Sequence, residues 1–459
     1  MTLPVHSYDL DALVALASRV VERARAAGAD VAEAQASTGR HLSAKVRLGE
    51  PELLEEAGSS SLGLRVMRGQ QVAVTHSSDT SADGIERLVQ DAIELADLSQ
   101  PDTFAGPPDP SLLSRPAQHA DLDLFDEAID AIDGARALDM AKRAEKAALG
   151  SDGRLTNSEG ATVSRQSGAS ALCTSGGFAA AQRGTYASIV VNPVADDADG
   201  KKRSGYYYSA RRHLEQLESP EAVGEEAARR TLAKLGSRKL PTQEIAVVFD
   251  PTAGRSILGL LAGCITGGAV WRKASYLCDR EGSPVASALV TVVDDPLLPR
   301  GPGSRAFDGE GLLARRNVVV AQGKLERFLL DCYSARKLGK QSTASAARAS
   351  GSVGASTSNF FLQPGSQSPE RLLADTGRAL YVTEMMGFGF NAVTGDFSRG
   401  AAGFLIEKGE RVFPVSEVTI SLNLDDLLKR IDAVASDLDH RTALCTPTFR
   451  VSAMTLAGK

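Results

Sequence analysis

A chain of 459 residues is too long for one ordinary hydrophobic core and points to two or three domains. Hydrophobic residues make up 43% and charged residues 24%, the balance of a soluble globular protein, while a net charge of −6 argues against a free nucleic-acid binder. Five cysteines (Cys173, Cys264, Cys278, Cys332, Cys445) form no CxxC pair, which argues against a disulfide framework or zinc ribbon and leaves reduced thiols.

Met1–Leu10 has neither a basic stretch nor an apolar core, so no secretory signal is expected there. No apolar run reaches the ~18 residues of a membrane helix. The longest, Ile257–Val270, is interrupted by Gly259, Ala262, Gly263, Gly267 and Gly268. A cytoplasmic protein is expected.

Residues 9–27 place Leu10, Leu13, Val14, Leu16, Ala17, Val20 and Val21 on one face and predict an amphipathic helix ending at Gly28. Val31–Val46 alternates loosely and reads as strand, turn, strand; Leu62–Val74 reads as a hairpin around Arg68-Gly69-Gln70. A second helix is expected over 83–97. Five prolines between Gln100 and Pro116 mark a linker or extended surface crossing. A long helix at 125–149 and strands at 161–174 and 185–194 follow. Ser219-Pro220-Glu221 then opens a helix running to about Leu235.

From residue 243 short strands separated by glycine-rich turns dominate. They are expected at Glu244–Phe249, Ala288–Asp294, Val318–Ala321, Leu325–Leu330, Gly403–Ile406, Val412–Ser421 and Arg450–Thr455. Helices are expected at 252–263, 369–380 and 425–433, and a surface loop at Ser342–Ser358. The fold class is α+β. An N-terminal α+β domain (1–120) and a central α+β region packed with it (121–238) precede a mainly antiparallel β domain (239–459), barrel- or sandwich-like.

Chemistry is sparse. None of the six histidines (His6, His41, His76, His119, His213, His440) has a Glu or another His at helical ligand spacing, so HExxH and HExxxH are both missing. His440 or Cys445 could become a ligand only by convergence in three dimensions. Ser334-Ala335-Arg336-Lys337 matches SxxK without the KTG or SDN that would support it. No GxSxG occurs; Gly339–Ser342 fails as a phosphate loop and Gly387-Phe388-Gly389 as a dinucleotide fingerprint. Asp294-Asp295 and Asp308-Gly309-Glu310-Gly311 offer paired carboxylates for acid–base work or a hard cation, or else ordinary turn chemistry. Short basic clusters (Lys201–Arg203, Arg211–Arg212, Arg315–Arg316) read as solvated surface.

The second half nevertheless carries a specific text: VVFDPTAGRSILGLL (247–261), TVVDDPLLPRGPGSRAFDGEG (291–311), LDCYSARKLGKQST (330–343), YVTEMMGFGFNAVTGDFSRGAAGFLIEKGE (381–410) and PTFRVSAMTLAG (447–458). It resembles the TldD/PmbA (modulator of DNA gyrase) family, within it the TldE/PmbA branch. LGLRVMRGQQVAV and TNSEGATVSRQSG fit more loosely in the first half. In that family the TldD-type subunit carries HExxxH on the helix after the first strand of the C-terminal domain. The matching stretch here, 254–268, has no His and no Glu. A C-terminal Cys completes the family's zinc site; Cys445 lies in a comparable region, but its surroundings match poorly and the role is not transferred.

The resemblance therefore implies a non-catalytic subunit. It would hold no cofactor itself, with zinc in a TldD-like partner, and the heterodimer would degrade unfolded peptides or trim peptide precursors. A homodimer is an alternative when the partner is absent, and a stand-alone hydrolase without zinc, built on Ser334/Lys337 or Asp308/Glu310, or a peptide-binding module is the alternative function. The same stretches nominate peptide- or partner-contacting residues: Gly387, Gly389, Thr394, Gly395, Asp396, Phe397, Ser398, Arg399 and Gly400, with Asp308 and Glu310.

Overall fold

The computed structural model describes residues 8–198, 200–349 and 351–458; His6 lies outside them. Helix α1 (Leu10–Ala26) is opened by Asp9, whose carboxylate accepts the Ala12 amide at 2.9 Å, and closes before Gly28 at φ +100°. Strands β1 (Val31–Arg47), β2 (Glu50–Arg68) and β3 (Gln71–Ser77) follow, then α2 (Ala82–Leu98). β1 corrects the expected strand, turn, strand: it is one continuous strand. Its alternation falters at Ser37–His41 because it crosses two cores. Ala32, Ala34 and Ala36 pack under α1 and α2, whereas Leu42, Ala44 and Val46 join a second cluster further along.

The helix expected at 125–149 is two, α3 (Glu127–Asp130) and α4 (Gly134–Gly150), because Asp133 starts the second by accepting the Arg136 amide. Then come β4 (Leu155–Thr174), β5 (Ala179–Asp196), β6 (Lys202–Ser204), β7 (Tyr207–Arg211) and α5 (Pro220–Leu232). The antiparallel order is β3-β2-β1-β4-β5-β6, with β7 also on β5, so one sheet draws strands from both sides of the proline-rich segment. Between the two cores the sheet carries a polar seam: Arg40 bonds Asp130 at 2.7 Å, and the fully buried Arg165 reaches Glu56 at 3.0 Å.

The proline-rich crossing is pinned to the second half. Arg336 donates to the carbonyls of Phe104, Gly106 and Pro107, and Tyr333 donates to Asp102 at 2.6 Å.

The second half begins with β8 (Gln243–Phe249), α6 (Pro251–Ile265) and α7 (Gly267–Trp271), then β9 (Val292–Asp294), β10 (Asn317–Ala321), β11 (Lys324–Leu325) and α8 (Cys332–Lys337). It continues through β12 (Ala346–Ala349), β13 (Ser352–Ala355), β14 (Phe360–Leu362), α9 (Pro369–Ala374), β15 (Arg378–Met386), β16 (Asp396–Glu407) and β17 (Glu410–Asn423). The chain ends with α10 (Leu424–Lys429), β18 (Ile431–Val434), β19 (Leu444–Cys445) and β20 (Phe449–Ala457). One sheet runs β17-β16-β15-β8-β20-β18, and an added β17–β20 pairing closes five of these strands into a barrel. A smaller sheet, β11-β10-β9-β14-β19, lies beside it. The α+β class and the barrel form of the expectation hold. Among the described residues no helix is long and apolar enough to cross a membrane.

Several local expectations are corrected. The helix expected over 369–380 stops at Ala374, because Leu380 and Val382 are fully buried in the barrel core and need extended backbone. Likewise 425–433 divides into α10 and β18, and of the strand expected at 325–330 only Leu325 belongs to a strand, with Leu329 making an isolated bridge to Thr266. The stretch from Ser342 to Ser358 is not a surface loop. It holds the β12–β13 hairpin, and Ser345 and Ser358 are buried.

That hairpin joins the halves. Arg348 on β12 pairs with Glu33 on β1, which also takes Arg65 of β2 at 3.1 Å. Burial alone would push the Glu33 carboxyl up; Arg348 and Arg65 outweigh it and hold it below the usual carboxylate range. Glu33→Gln leaves two buried guanidinium groups uncompensated and should cost about 3–5 kcal/mol in urea unfolding; a cost below about 1 kcal/mol would contradict this role. Gly224→Ala tests the α4–α5 contact. A Cβ there would sit 2.1 Å from the Ala144 carbonyl oxygen, so the helices must part, with an expected loss of about 1–3 kcal/mol in the same measurement.

Candidate functional site

A cleft runs between the end of the first half and the mouth of the barrel. Three adjoining cavities, of about 340, 350 and 240 Å³, share Tyr206 and Thr252. One wall is Tyr206–Tyr208 with Arg230 of α5 and Lys234 just past its end. The other is the start of α6 with the ends of β8 and β15. The third cavity is floored by residues 437–446, so β19 and Cys445 lie here, packed against α6.

Local sequence explains this placement. Asp250 and Pro251 follow β8 directly. The Asp250 carboxylate accepts the Ala253 amide at 2.7 Å, and proline occupies the first helical turn, where no amide partner is needed. β15 lies parallel to β8, and Asp250 N–H donates to Val382 O at 3.0 Å. A register shift between Val382 and Glu384 then turns Thr383 and Glu384 toward the cleft. Along Tyr206–Tyr208 side chains alternate: Tyr207 is buried in the first-half core, while Tyr206 and Tyr208 stack with centroids 6.4 Å apart on the cleft side.

The electrostatics are uneven. Burial pushes Asp250 up to about 7, against the pull of its helix amides and of Arg230. Glu384 pairs with Lys234. Arg229 and Arg230 share one carboxylate, Glu226, at 2.6 and 2.7 Å. Arg255 on α6 donates to the Tyr208 hydroxyl at 3.0 Å, and Arg411 stacks over Tyr381 and Phe404. Among the described residues neither Arg255 nor Arg411 has a carboxylate at ion-pair distance, and the Tyr206 hydroxyl has no hydrogen-bond partner.

These side chains do not suit zinc. The carboxylates and the thiol of the cleft are committed elsewhere: Asp437 to Thr448, Asp439 to Arg211 and Arg441, Cys445 to the Thr442 carbonyl at 2.7 Å. Burial raises the Cys445 thiol above its ordinary value. Burial also lowers His440, whose ring packs edge-on against Phe361. Among the described residues no three His, Cys, Asp or Glu side chains are grouped to hold a metal ion.

The nominated residues fall in two other places. Gly387 to Gly400 form the turn between β15 and β16 and the first residues of β16. Gly387 and Gly395 take φ +82°, and a Cβ on Gly389 would meet Ser398 O at 1.9 Å. Asp396 accepts from Thr394 Oγ1 at 2.7 Å and Asn423 Nδ2 at 3.2 Å, and Phe397 is buried in the barrel core. Ser398 is exposed, Arg399 half-buried. None of these lines the three cavities, although the flanking Met386 and Gly403 do.

Asp308 and Glu310 are each 1% exposed and sit apart from that turn. Asp308 accepts the amides of Glu310, Leu312 and Ala346, and Glu310 that of Cys332. Burial raises both carboxyls. Ser334 donates to Asp331 inside the cap of α8, while Lys337 turns away to Asp102.

Sequence reading missed Tyr206, Tyr208, Arg230, Lys234, Asp250, Arg255, Glu384 and Arg411. One signal was available: 206–208 is a run of three tyrosines in a chain with 5% aromatics.

Comparison with known proteins places this geometry. Residues 32–96, 127–235 and 242–458 match, in turn, domain 1, the central domain and the C-terminal domain of the PmbA/TldA metallopeptidases. The chain is 36% identical to Metalloprotease PmbA of Escherichia coli O157:H7 over 94% of its own length and 93% of that protein's. It is 35% identical to the Metalloprotease PmbA homolog of Haemophilus influenzae, over 96% and 95%. The crystal structure of TldE from Thermococcus kodakarensis has the same fold, with a TM-score of 0.87 at 20% identity over 96% of this chain and 100% of that one.

Asp250 gives the cleft a pH signature. Its folded pKa of about 7 lies above the ordinary 3.8, so the folded state holds the proton longer than the unfolded chain, and stability falls as pH rises from about 4 to 7. Asp250→Asn keeps a helix-capping side chain and removes the titration. Between pH 4.5 and 7.5 the variant should lose less stability than the parent, by up to a few kcal/mol in denaturant unfolding; parallel pH profiles would refute the shift.

Proposed function

The chain belongs to the PmbA/TldD family of metallopeptidases, and from that premise we propose that it is the non-catalytic subunit of a TldD/TldE-type heterodimer in the cytoplasm. The observation that carries this reading is α6. By the resemblance it corresponds to the helix that carries HExxxH in TldD-type subunits; it lies against the strand bearing Cys445 and offers neither His nor Glu. Hydrolysis of an amide needs a Lewis acid or an activated nucleophile to lower its barrier, and the donors of this cleft are bound to amides, arginines and lysine. Zinc and the cutting step belong, on this reading, to a TldD-like partner that degrades unfolded peptides or trims peptide precursors. The likeness to TldE of Thermococcus kodakarensis supports the assignment.

In this assembly the β15–β16 turn has a role. Gly387 and Gly389 set a hydrogen-bonded turn that presents Phe388, 96% exposed, while Thr394, Asp396 and Ser398 offer polar contacts beside it. A preformed turn contacts a peptide or a partner chain at low entropic cost.

The experiment is peptide cleavage by the purified chain, alone and mixed with the TldD-like protein of the same genome, with metal content measured on each. Cleavage in the mixture only, with zinc on the partner only, is the expected outcome. Turnover or stoichiometric zinc with this chain alone would make it a catalytic metalloprotease in its own right, the activity named for its Escherichia coli and Haemophilus relatives.

A further inference from the structure

The cleft carries more cations than carboxyls in a protein whose net charge is negative. The cavity of about 340 Å³ is lined by six cations (Lys202, Arg203, Arg229, Arg230, Lys234, Arg411) against three carboxyls (Asp250, Glu384, Glu417), and the two adjoining cavities add Arg255 and Arg441 against Glu159, Asp437 and Asp439, while the whole chain carries −6. Two of the first three carboxyls are neutralised: Glu384 by Lys234, Glu417 by Lys201 and Lys239. The third, Asp250, titrates near neutrality because it is buried, and adds less than a full negative charge.

Cations left without counter-charge collect at the centre. Arg255 has only the Tyr208 hydroxyl, Arg411 only two aromatic faces, and Arg230 half of Glu226. Tyr206 stands among them with an unused hydroxyl and lines all three cavities. Planar guanidinium groups with free N–H donors beside phenol hydroxyls match the two oxygens of a carboxylate. The partial burial of Arg255 and Arg230 strengthens such a contact relative to one on open surface.

We infer that this cleft binds the carboxylate of a peptide, held between Arg255, Arg230 and the Tyr206 hydroxyl, with the peptide running along the cavity toward Arg411. That the carboxylate is carried by a peptide rests on the family reading above; the anion site itself rests on the cleft alone. Where a catalytic subunit would cut, this chain would grip. The three tyrosines at 206–208 all line the third cavity, Tyr207 with its ring under Arg230 and Arg441 and largely buried in the first-half core.

Fluorescence anisotropy with the full-length chain tests this. The probe is an N-terminally fluorescein-labelled octapeptide without acidic residues, with a free C-terminal carboxylate, compared with its C-terminal amide and with the amide carrying one internal Glu. The free acid should bind at least 10-fold more tightly than the plain amide. Arg255→Gln should abolish that difference with only a small change in melting temperature, because in the fold Arg255 holds no ion pair and only the Tyr208 contact. Tyr206→Phe should weaken the acid about 3-fold or more. Recovery by the internal Glu would extend recognition to side-chain carboxylates, and its absence would restrict it to the terminus; both support the site. Equal affinity for acid and amide, no binding of either, or full acid preference retained in a folded Arg255→Gln protein would overturn it. Binding is read on the isolated chain without turnover, so failure of the heterodimer in the cleavage assay leaves this result standing, and the reverse also holds.

Discussion

The cleft exists because β8 and β15 run parallel. Every other pairing in the barrel is antiparallel, so this one pair brings two strand ends of the same sense to one rim. Asp250 and α6 leave from one end, and Thr383 and Glu384 from the other. The hydrogen bond from Asp250 N–H to Val382 O fixes their spacing. Binding residues gather at carboxyl ends of parallel strands in open sheets for the same reason: chain exits and helix starts coincide there. The opposite wall is supplied by the final strands of the first half, held in place by the Glu33–Arg65–Arg348 cluster and the pinned proline-rich crossing.

Buried carboxylates recur through the second half, each satisfied by backbone amides instead of cations. Asp250 caps α6, Asp294 accepts the Ser358 amide, Asp308 gathers three amides of two separate segments, and Glu310 takes that of Cys332. Strands as short as β9, β11 and β19 leave many loop amides unpaired by any ladder. A buried carboxylate that bonds several of them offsets a desolvation cost that neither group could bear alone. This is why Asp308 and Glu310 look like an acid–base pair in the sequence and serve as loop fasteners in the fold.

The same economy of groups supports the proposal that the cleft holds a peptide and does not cut it. A catalytic zinc site needs donors left free by the fold and oriented by a surrounding shell. Here α6 turns Thr252, Ala253, Arg255 and Ser256 to the cavity, and the one thiol in place, Cys445, is bonded to a carbonyl and raised above its ordinary pKa by burial. What remains are guanidinium groups without a carboxylate partner beside aromatic walls, as the proposed peptide-holding role requires.

Much of the architecture was written locally. Asp9, Ser219 and Ser368 announce helix starts because capping is settled within four residues, and the family text after residue 243 is an ordered string that no fold calculation is needed to read. Local signals failed where packing overrode them. β1 stays extended through Ser37–His41 because β2 and β4 flank it on both sides, and α9 stops at Ala374 because the barrel requires β15. The absence of HExxxH was likewise plain from sequence, since two ligands on one helix are a short-range pattern. The cleft was not: Tyr206, Arg230, Asp250, Glu384 and Arg411 are scattered over two hundred residues, and charge surplus is a property of which partners each cation finds. Sequence determined the elements and the family; only the tertiary structure decided which arginines were left without a carboxylate, because pairing is set by distance in space.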